Sequence, residues 1–382
     1  MSKPTVVVVG AGPVGLTAAL TLARRGFPVT VLEQGDELAT ESRASTFHPP
    51  TLEMLRDLGV LDALLRKGIR ASTFQYRERG GGEIATLDLD VLAEDTSFPF
   101  RVQCEQSTLT PILLDALGAV ADVRFGHPVN GLLSTADSVV LRTAKGPVRA
   151  DWVIGADGAH SAVRRGLGVE FGGSTYPERF LVASVDEDLA AALPGIAPIN
   201  YVFDPDEWLV LLRTSQHWRV LLPTPVDTDD EDELRRLPER LAAVVDLGRP
   251  WRLAHASLYR VHQRVTDRFR YGKVLLMGDA AHVNNPLGGM GMNSGIHDAV
   301  QLASALSDVL EGGPDTQLDE VAAHRRNVAV DHVQRMSHNN WNRMRDRDAD
   351  YLDHLRELAA DPVAARAYLR RACLLDSLEI RP

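Results

Sequence analysis

The beginning of the chain alternates apolar strands with a helix. Residues 5–9 form an unbroken, mostly β-branched run, as expected for a strand that is buried on both faces of a parallel sheet. Residues 16–25 have helical periodicity and are followed by Gly26, which is typical of a helix end. A second apolar strand is predicted over residues 29–32. This order predicts a parallel strand–helix–strand unit.

Farther along, the periodicity predicts two kinds of sheet. Helices are predicted at residues 51–58, 107–117 (with Ser107 or Thr108 as cap), about 293–310, and 318 to about 345. Strands are predicted at residues 74–76, 84–89, 139–143, 148–154, 200–203, 208–213, 218–222 and 273–277. The short strands between about residues 172 and 270 are typical of an antiparallel sheet. We therefore predict a parallel nucleotide-binding sheet built from separated pieces, with an antiparallel layer inserted between them.

A glycine pattern marks the turn after the first strand. Gly10, Gly12 and Gly15 give G-x-G-x-x-G, and Pro13 and Val14 lie within it. The first glycine allows a tight turn, the second lets backbone approach a pyrophosphate, and the third lets the helix pack close to the strand. A chance glycine-rich turn is the alternative, but strand, turn, helix and second strand all fall in register. The pattern therefore predicts a dinucleotide site.

An acidic residue ends the second strand. Glu33, followed by Gln34, is placed to accept hydrogen bonds from a ribose hydroxyl group. Its charge would also repel a 2′-phosphate. The residue therefore strengthens the prediction of a dinucleotide site.

A second glycine-rich stretch lies about two-thirds of the way along the chain. Gly278-Asp279 follows a buried strand, where an acid faces the ligand crevice and can bond a hydroxyl on the sugar-like chain of a flavin. Glycine-rich backbone then leads into a helix N-terminus, which favours negative charge such as that of a reduced flavin ring. The residues concerned are Pro286, Leu287, Gly288, Gly289, Met290, Gly291, Met292 and Asn293. A structural turn with a solvated aspartate is the alternative, but the two stretches together point to FAD.

A third strand–turn–helix element lies between them. Asp157-Gly158 follows an apolar strand and precedes a helix that carries Arg164 and Arg165. Asp-Gly alone is common in turns, but this position is consistent with a loop near a phosphate. The two arginines are interpreted either as a solvated helix face or as a contact for the phosphate of a nicotinamide nucleotide.

Composition and charge exclude several classes of protein. The 382 residues are 45% hydrophobic and 24% charged, as in ordinary globular proteins. A net charge of −11 argues against a nucleic-acid partner. Two cysteines make neither a disulfide framework nor a metal cage, so no metal and a cytoplasmic location are expected. No membrane segment or signal peptide is predicted, and the choice between monomer and homodimer stays open.

Together these stretches resemble the class A flavoprotein monooxygenases, the para-hydroxybenzoate hydroxylase-like aromatic hydroxylases. The resemblance covers about residues 4–335. It is closest to members that act on hydroxyphenylpropionate-like and polyketide phenols, without their thioredoxin-like C-terminal domain. It implies that Arg43 contacts FAD near its diphosphate and ribityl region. It also implies that Gln106, in a Gln-x-x-Leu pattern, is a flavin-binding glutamine; Gln103 is a less favoured candidate.

The resemblance implies an α/β fold with a Rossmann-like FAD-binding domain of the glutathione reductase type, an inserted antiparallel β-sheet substrate domain and C-terminal helices. We assign residues 1–72, 97–171 and 272–315 to the FAD-binding domain, 73–96 and 172–271 to the substrate domain, and 316–382 to a C-terminal helical segment. The expected cofactor-binding residues are Gly10, Gly12, Pro13, Val14, Gly15, Glu33, Gln34, Arg43, Gln106, Asp157, Gly158, Gly278, Asp279, Pro286, Gly289, Gly291, Met292 and Asn293.

The activity that the resemblance implies is hydroxylation of a small aromatic, phenolic molecule. NADH or NADPH would reduce FAD, and dioxygen would react through a flavin C4a-hydroperoxide. Pro286 is expected beside the reactive face of the flavin and Gly288 near the oxygen adduct. An oxidase, halogenase or reductase of the same fold is the alternative, although no Trp-x-Trp-x-Ile halogenase pattern is present. A plain NAD dehydrogenase is disfavoured because Asp279 would have no role.

Residues that contact substrate are expected on the antiparallel sheet. Tyr201 is a candidate for bonding a phenol, and Arg213 or Arg219 for holding a carboxylate, although surface ion pairing would explain the arginines as well. His48 either points into the pocket or has a structural role at a helix start. The predicted catalytic set therefore has six members: His48, Tyr201, Arg213, Arg219, Pro286 and Gly288.

Two further groups are interpreted as supporting structure. His282, close to Asp279, is expected to make a supporting hydrogen bond and not to transfer a proton. The acidic run at residues 229–233 is expected to be the solvated start of a helix.

Overall fold

The computed structural model describes residues 3–40, 44–346 and 349–378. Its strands are β1 (Val6–Val9), β2 (Val29–Leu32), β3 (Thr46–Phe47), β4 (Ile69–Ala71), β5 (Thr73–Glu78), β6 (Gly82–Asp88), β7 (Arg101–Gln103), β8 (Ala121–Arg124), β9 (Val129–Ser134), β10 (Val139–Thr143), β11 (Gly146–Ala150), β12 (Trp152–Gly155), β13 (Gly172–Val185), β14 (Ile199–Phe203), β15 (Leu209–Arg213), β16 (Trp218–Pro225), β17 (Leu253–Val265), β18 (Arg270–Tyr271), β19 (Val274–Leu276) and β20 (His282–Val283).

Its α-helices are α1 (Pro13–Arg24), α2 (Pro49–Asp57), α3 (Leu61–Leu65), α4 (Gln106–Leu117), α5 (Ala162–Gly166), α6 (Leu189–Ala192), α7 (Asp230–Val244), α8 (Gly291–Leu310), α9 (Asp315–Asn327), α10 (Arg335–Asp346), α11 (Ala349–Ala360) and α12 (Pro362–Ala372). A π-helical stretch, Val328–Gln334, joins α9 to α10. Short 3₁₀ turns lie at Leu89–Leu92, Gly118–Val120, Gly278–Ala280 and Leu375–Ser377.

A six-stranded sheet has the order β18-β19-β12-β1-β2-β8. All neighbours are parallel except β18 and β19. Val8 in the centre pairs with Val31 on one side and Ile154 on the other, and it is completely buried. The apolar run of β1 therefore lies where a strand is covered on both faces. Helices α1, α4 and α8 share one hydrophobic core with this sheet.

An eight-stranded sheet has the order β20-β17-β13-β16-β15-β14-β5-β6. Its neighbours are antiparallel except β14 and β5, so the inserted sheet is mixed at one position. Successive side chains alternate between two cores: Tyr201 lies on the face that meets the C-terminal helices, and Val202 on the face that meets α7. One face of this sheet is therefore available to build a cavity with the C-terminal helices.

The C-terminal helices close over that face. The predicted long helical segment is confirmed as α9, the π-helical stretch and α10 in continuous succession. Helix α11 packs against β6 and α12 against the turn at Leu89–Leu92. Asp95, nearly buried, forms ion pairs with Arg366 and Arg370 of α12. The last helices are therefore fixed to the sheet.

Several local predictions need correction. The strand expected at residues 148–154 is two strands, β11 and β12, that belong to different sheets. Helix α4 begins one residue early, after Glu105, so neither Ser107 nor Thr108 caps it. The acidic run does begin a helix, but Glu233 is buried and pairs with Arg240 at 3.0 Å, so it is not solvated.

The domain boundaries stay a prediction. Of the short strands near them, β18 joins the six-stranded sheet and β20 the eight-stranded sheet. Two three-stranded antiparallel sheets, β3-β7-β4 and β11-β10-β9, complete the strands described.

Among the described residues, no helix combines the length and apolar composition needed to cross a membrane.

Candidate active site

Three loops meet at the carboxyl edge of the six-stranded sheet, because β19, β12 and β1 are adjacent and parallel. Gly10 has φ +104°, and a Cβ atom placed there would lie 2.4 Å from the carbonyl oxygen of Ala156. A Cβ atom at Gly278 would lie 2.9 Å from the Val14 side chain. The glycine motif thus touches both neighbouring loops. The turns that carry Asp157 and Asp279 therefore lie next to it at the same edge of the sheet.

Open space lies where the glycine motif meets α1. A Cβ atom on Gly12 or on Gly158 would contact no described heavy atom within 4 Å. Gly12 is the N-cap of α1 and offers no side chain to its free N–H groups. Such a helix start binds anions through backbone N–H groups and the helix dipole. The geometry fits a pyrophosphate group at this position.

The acid after β2 is held by backbone. The Glu33 carboxylate accepts hydrogen bonds from Ala11 N at 2.7 Å and from Gly35 N at 2.9 Å. It is half-buried beside the glycine turn, whereas Gln34 is exposed. A ribose hydroxyl group next to the turn would be within reach of this carboxylate.

The loop after β12 is shaped by Asp157. Its carboxylate accepts hydrogen bonds from the Ser161 hydroxyl at 2.5 Å and from Ala162 N at 2.6 Å. It therefore fixes the start of α5, and its role in cofactor binding stays a prediction. Arg164 is buried and donates to Ala280 O at 2.9 Å and to Ala159 O at 2.7 Å. It ties this loop to the one after β19, so neither interpretation made from sequence fits it.

The exposed Arg165 donates a hydrogen bond to the backbone carbonyl group of His160.

The remaining residues predicted to bind the cofactor differ in where they lie. Gln106 is half-buried at the first turn of α4, and its backbone N–H donates to Ala44 O at 3.0 Å. Gln103 is fully buried and accepts from the Thr46 hydroxyl at 3.0 Å. Arg43 lies outside the described residues.

The second glycine-rich stretch is fixed by Asn293. Its side chain accepts from His48 N at 2.9 Å and the Thr51 hydroxyl at 2.7 Å, and it donates to Thr46 O at 2.8 Å and Gly289 O at 2.7 Å. Its polar atoms are thus bound to protein, so any effect on a cofactor would come from positioning the loop. Pro286, Gly288, Gly291 and Met292 lie in this loop or at the start of α8.

A buried charged network supports the Asp279 turn, and sequence reasoning missed it. The Asp298 carboxylate accepts from Gly278 N at 3.1 Å, from His282 Nε2 at 2.8 Å and from Arg325 Nε at 2.7 Å. Asp298 and Arg325 are fully buried. Although burial acts to raise the pKa of Asp298, Arg325 and His282 hold it below its usual value. His282 does have a supporting role, through Asp298.

An aromatic cavity lies between the eight-stranded sheet, the Gly288 loop and the C-terminal helices. Its walls include Phe74, Tyr76, Arg101, Tyr201, Gly288 and Tyr368. Tyr201 stacks on Tyr76 with ring centroids 5.4 Å apart and meets Phe74 edge to face at 6.3 Å. The hydroxyl groups of Tyr76 and Tyr368 are 2.8 Å apart. Such walls suit a flat ring that carries a polar substituent.

The predicted arginines do not line this cavity, and their role in substrate binding stays a prediction. Arg213 is half-buried with its guanidinium 6.0 Å from the Trp218 ring. Arg219 is buried, and burial lowers its pKa. Arg101 lines the cavity instead. The sequence feature that could have pointed to Arg101 is that it is the single charged residue inside the apolar run at residues 98–102.

His48 is fully buried beside the Gly288 loop. Neither ring nitrogen has a hydrogen-bond partner among the described residues. Burial, and then the charge of Arg101, hold the pKa of His48 well below its usual value. The imidazole is therefore neutral at physiological pH.

A second buried histidine, His297, makes stability depend on pH. Burial, and then Arg325, lower its pKa from 6.5 to about 3. Between these values the unfolded chain binds a proton that the folded protein does not, so the free energy of unfolding falls as the pH falls below about 6.5. The expected loss is up to about 1.4 kcal/mol per pH unit for each such histidine. Urea unfolding at pH 7 and pH 5 measures this loss.

The His297→Gln variant should show a weaker pH dependence than the wild type. His354→Gln, at an exposed position on α11, is the matched control and should keep the wild-type dependence. Equal slopes in the wild type and His297→Gln would contradict the assignment.

Fold and site together define a flavin-dependent oxidoreductase. The family model described as an FAD binding domain matches residues 3–336. The chain is 35% identical over 356 residues to para-nitrophenol 4-monooxygenase of Pseudomonas sp. (strain WBC-3), covering 90% of this chain and 88% of that protein. It is 35% identical to 6-hydroxy-3-succinoylpyridine 3-monooxygenase HspB of Pseudomonas putida (strain DSM 28022 / S16), covering 87% and 86%.

A solved structure of p-nitrophenol 4-monooxygenase PnpA from Pseudomonas putida DLL-E4 superposes with a TM-score of 0.92 at 33% identity, covering 98% of both chains. The chain belongs to the family with this FAD-binding domain. The predicted α/β fold class, the class A flavoprotein resemblance and FAD as cofactor are confirmed. The open space at Gly12 and Gly158 fits that cofactor.

Proposed function

We propose that the protein is an FAD-dependent monooxygenase that uses NADH or NADPH and dioxygen to hydroxylate a small phenolic compound. The observation that carries the proposal is the aromatic cavity, which is bordered by Gly288 in the loop that leads into α8. The cavity has about 260 Å³ of empty space, including its opening to solvent. Its aromatic walls favour a flat, substituted ring as the occupant.

FAD would be held by the three loops at the carboxyl edge of the six-stranded sheet. The N–H groups at Gly12 and the start of α1 would bind the diphosphate, and Glu33 a ribose hydroxyl. Gly158 would leave room for the chain of the cofactor, and Asp279 would bind a hydroxyl on its ribityl part. The start of α8 would face the ring end.

When bound, FAD supplies the redox chemistry: it accepts a hydride from the nicotinamide and activates dioxygen for transfer of one oxygen atom to the ring. The chain's own residues position the substrate and exclude water. Tyr76 and Tyr201 provide a flat wall, and Tyr368 on α12 adds a further wall residue whose hydroxyl group lies 2.8 Å from that of Tyr76. Exclusion of water protects the oxygen transfer from hydrolytic loss.

The polar groups of the cavity orient the substrate oxygen. Burial raises the pKa of Tyr201, and burial and Tyr351 raise that of Tyr368, so both hydroxyls keep their protons at neutral pH. They can donate hydrogen bonds to a substrate oxygen but do not accept its proton. His48 has a strongly lowered pKa and is a weak base. The proposal therefore assigns these residues to positioning.

Anaerobic reduction, followed by mixing with oxygen, tests this function. The FAD-loaded protein is reduced with NADH or NADPH in the presence of each member of a panel of monocyclic phenols. We expect faster reduction with a suitable phenol and a hydroxylated product after oxygen is added. Release of peroxide with no oxygenated product from any phenol would contradict hydroxylation and favour an oxidase.

Asp279→Ala is expected to weaken FAD binding. Asp279 is exposed on the turn after β19, where a carboxylate can accept a hydroxyl hydrogen bond. Loss of a hydrogen bond to a charged group should raise the Kd for FAD about 10- to 100-fold. Fluorescence titration of the apoprotein with FAD measures this change. Asp137→Ala, at an exposed position between β9 and β10, is the control; equal Kd values for both variants would remove the role assigned to Asp279.

We further propose that the protein works in the cytoplasm, as a monomer or homodimer, and without a nucleic-acid partner. Both cysteines, Cys104 and Cys373, are buried and unpaired, which suits a reducing compartment. The net negative charge is unfavourable for binding nucleic acid.

A further inference from the structure

Arg101 is a buried charge without a carboxylate partner in the described part of the chain. Its side chain is 2% exposed and its guanidinium lies 4.7 Å from the Phe74 ring centroid. The groups that raise its pKa are the Cys373 thiol and the phenols of Tyr201 and Tyr368, none of them a carboxylate. A charge so far from water normally requires an anionic partner.

The hydrogen bonds of Arg101 are incomplete as well. One terminal nitrogen lies 3.5 Å from Ala372 O and 3.6 Å from Cys373 Sγ, which is a weak acceptor, and the Tyr201 hydroxyl group is a further neutral neighbour. Its Nε has no hydrogen-bond partner among the described residues. Buried donors in native proteins are usually satisfied, so unused donors at a cavity wall point to a ligand.

The surrounding groups do not neutralise this charge. Burial acts to lower the pKa of Arg101, but Cys373 and Tyr201 outweigh it, so the guanidinium stays charged. The neighbouring phenols keep their protons, and His48 is neutral. Within the described walls of the cavity, Arg101 therefore contributes an unbalanced positive charge.

We propose that Arg101 binds an anionic oxygen on the aromatic substrate and makes the cavity selective for aromatic anions. The proposal rests on the proposed function, because it takes the cavity to be the substrate site. A phenolate and a ring carboxylate both offer this chemistry, and a guanidinium binds either through charge-assisted hydrogen bonds. The Phe74 ring, 4.7 Å from the guanidinium, helps to hold it in place through a cation–π contact.

Three probes that differ in one substituent test the selectivity of the FAD-loaded full chain. They are 4-nitrophenolate, 4-nitrobenzoate and the uncharged 4-nitroanisole, each titrated while the flavin absorbance is recorded. We expect the wild type to bind at least one of the anions about tenfold or more tightly than 4-nitroanisole. The anion that is preferred identifies whether a phenolate or a carboxylate is the natural group.

Arg101→Met should raise the Kd of the preferred anion about 10- to 100-fold and leave that of 4-nitroanisole within about twofold. Arg101→Lys keeps the charge and should restore part of the preference. Arg70→Met is the matched control. Arg70 is exposed and its guanidinium lies 4.0 Å from the Phe100 ring, on a strand that pairs with the strand of Arg101. This variant should bind all three probes like the wild type.

Two results would overturn the role proposed for Arg101 and leave the proposed function standing. One is a wild type that hydroxylates a phenol but binds 4-nitroanisole as tightly as both anions. The other is an Arg101→Met variant with unchanged affinity for the anions. If the Arg101→Met variant does not fold, the comparison of the three probes on the wild type and the Arg101→Lys variant still test whether Arg101 binds the anion. A wild type that binds none of the probes and hydroxylates no phenol would overturn this proposal and the proposed function together.

Discussion

Gly15→Ala protein is expected to be isolated without FAD and with a free energy of unfolding about 3 kcal/mol below that of the wild type. A Cβ atom at Gly15 would lie 2.0 Å from the carbonyl oxygen of Gly10. Gly10 lies in the turn after β1 and Gly15 in the first turn of α1, so the clash is with backbone and no side-chain rotation relieves it. The helix must move away from the strand, and the turn at Gly12 loses its shape.

Gly12→Ala separates cofactor binding from folding. Gly12 has φ −74°, which alanine adopts, and the added methyl group would meet no described atom within 4 Å. The variant should therefore unfold at the wild-type urea concentration. The methyl group would, however, occupy the space proposed for the diphosphate, so the Kd for FAD should rise about tenfold or more. Urea unfolding of the apoproteins and FAD titration measure the two effects.

Two results would contradict this account of the turn. A Gly15→Ala protein that is as stable as wild type would show that the turn can adapt. A Gly12→Ala protein with wild-type FAD affinity would place the diphosphate elsewhere.

The contrast between these two glycines shows what local sequence can predict. The strand, the turn and the helix are contiguous, so their geometry follows from residues that are neighbours in the chain. The position of Glu33 beside the glycine turn could be predicted equally well, because β2 pairs directly with β1. The fold class followed from such units and from the resemblance that they carry.

The cavity could not be predicted in the same way. Arg101, Tyr76 and Tyr368 come from β7, β5 and α12, and their proximity depends on how distant elements pack. Tyr201 was predicted correctly to lie on the inserted sheet, but the face on which each strand residue lies is set by pairing register, which local pattern does not give. Arg213 and Arg219 were chosen because they lie on neighbouring strands of that sheet, β15 and β16, but they are not among the residues that line the cavity.

The network around Asp298 was missed for a related reason. A charged residue in the middle of α8 has no local signal that separates a buried position from a solvated one. Its partners Arg325 and His282 lie 27 and 16 residues away in sequence. Only the packing of α9 against α8 shows that the three side chains meet.

Arg325→Met is expected to lower the free energy of unfolding by about 3–5 kcal/mol, because it leaves the Asp298 carboxylate buried without its guanidinium partner. Asp298 also accepts the hydrogen bond from Gly278 N. The turn that carries Asp279 should therefore loosen, and the Kd for FAD should rise. Urea unfolding of the apoprotein and FAD titration measure the two changes.

Two further variants distinguish a buried charge from a general effect of losing arginine. Arg335→Met removes an exposed pair with Asp331, 2.8 Å long, and should cost no more than about 0.5 kcal/mol. The double variant Asp298→Asn with Arg325→Met removes both buried charges and keeps an acceptor for Gly278 N. It should recover more than half of the stability lost in the single variant, because the main penalty is the uncompensated carboxylate and not the missing contact. A double variant as unstable as Arg325→Met would instead show that the guanidinium stabilises α8 and α9 through its bonds to Ser294 and its packing.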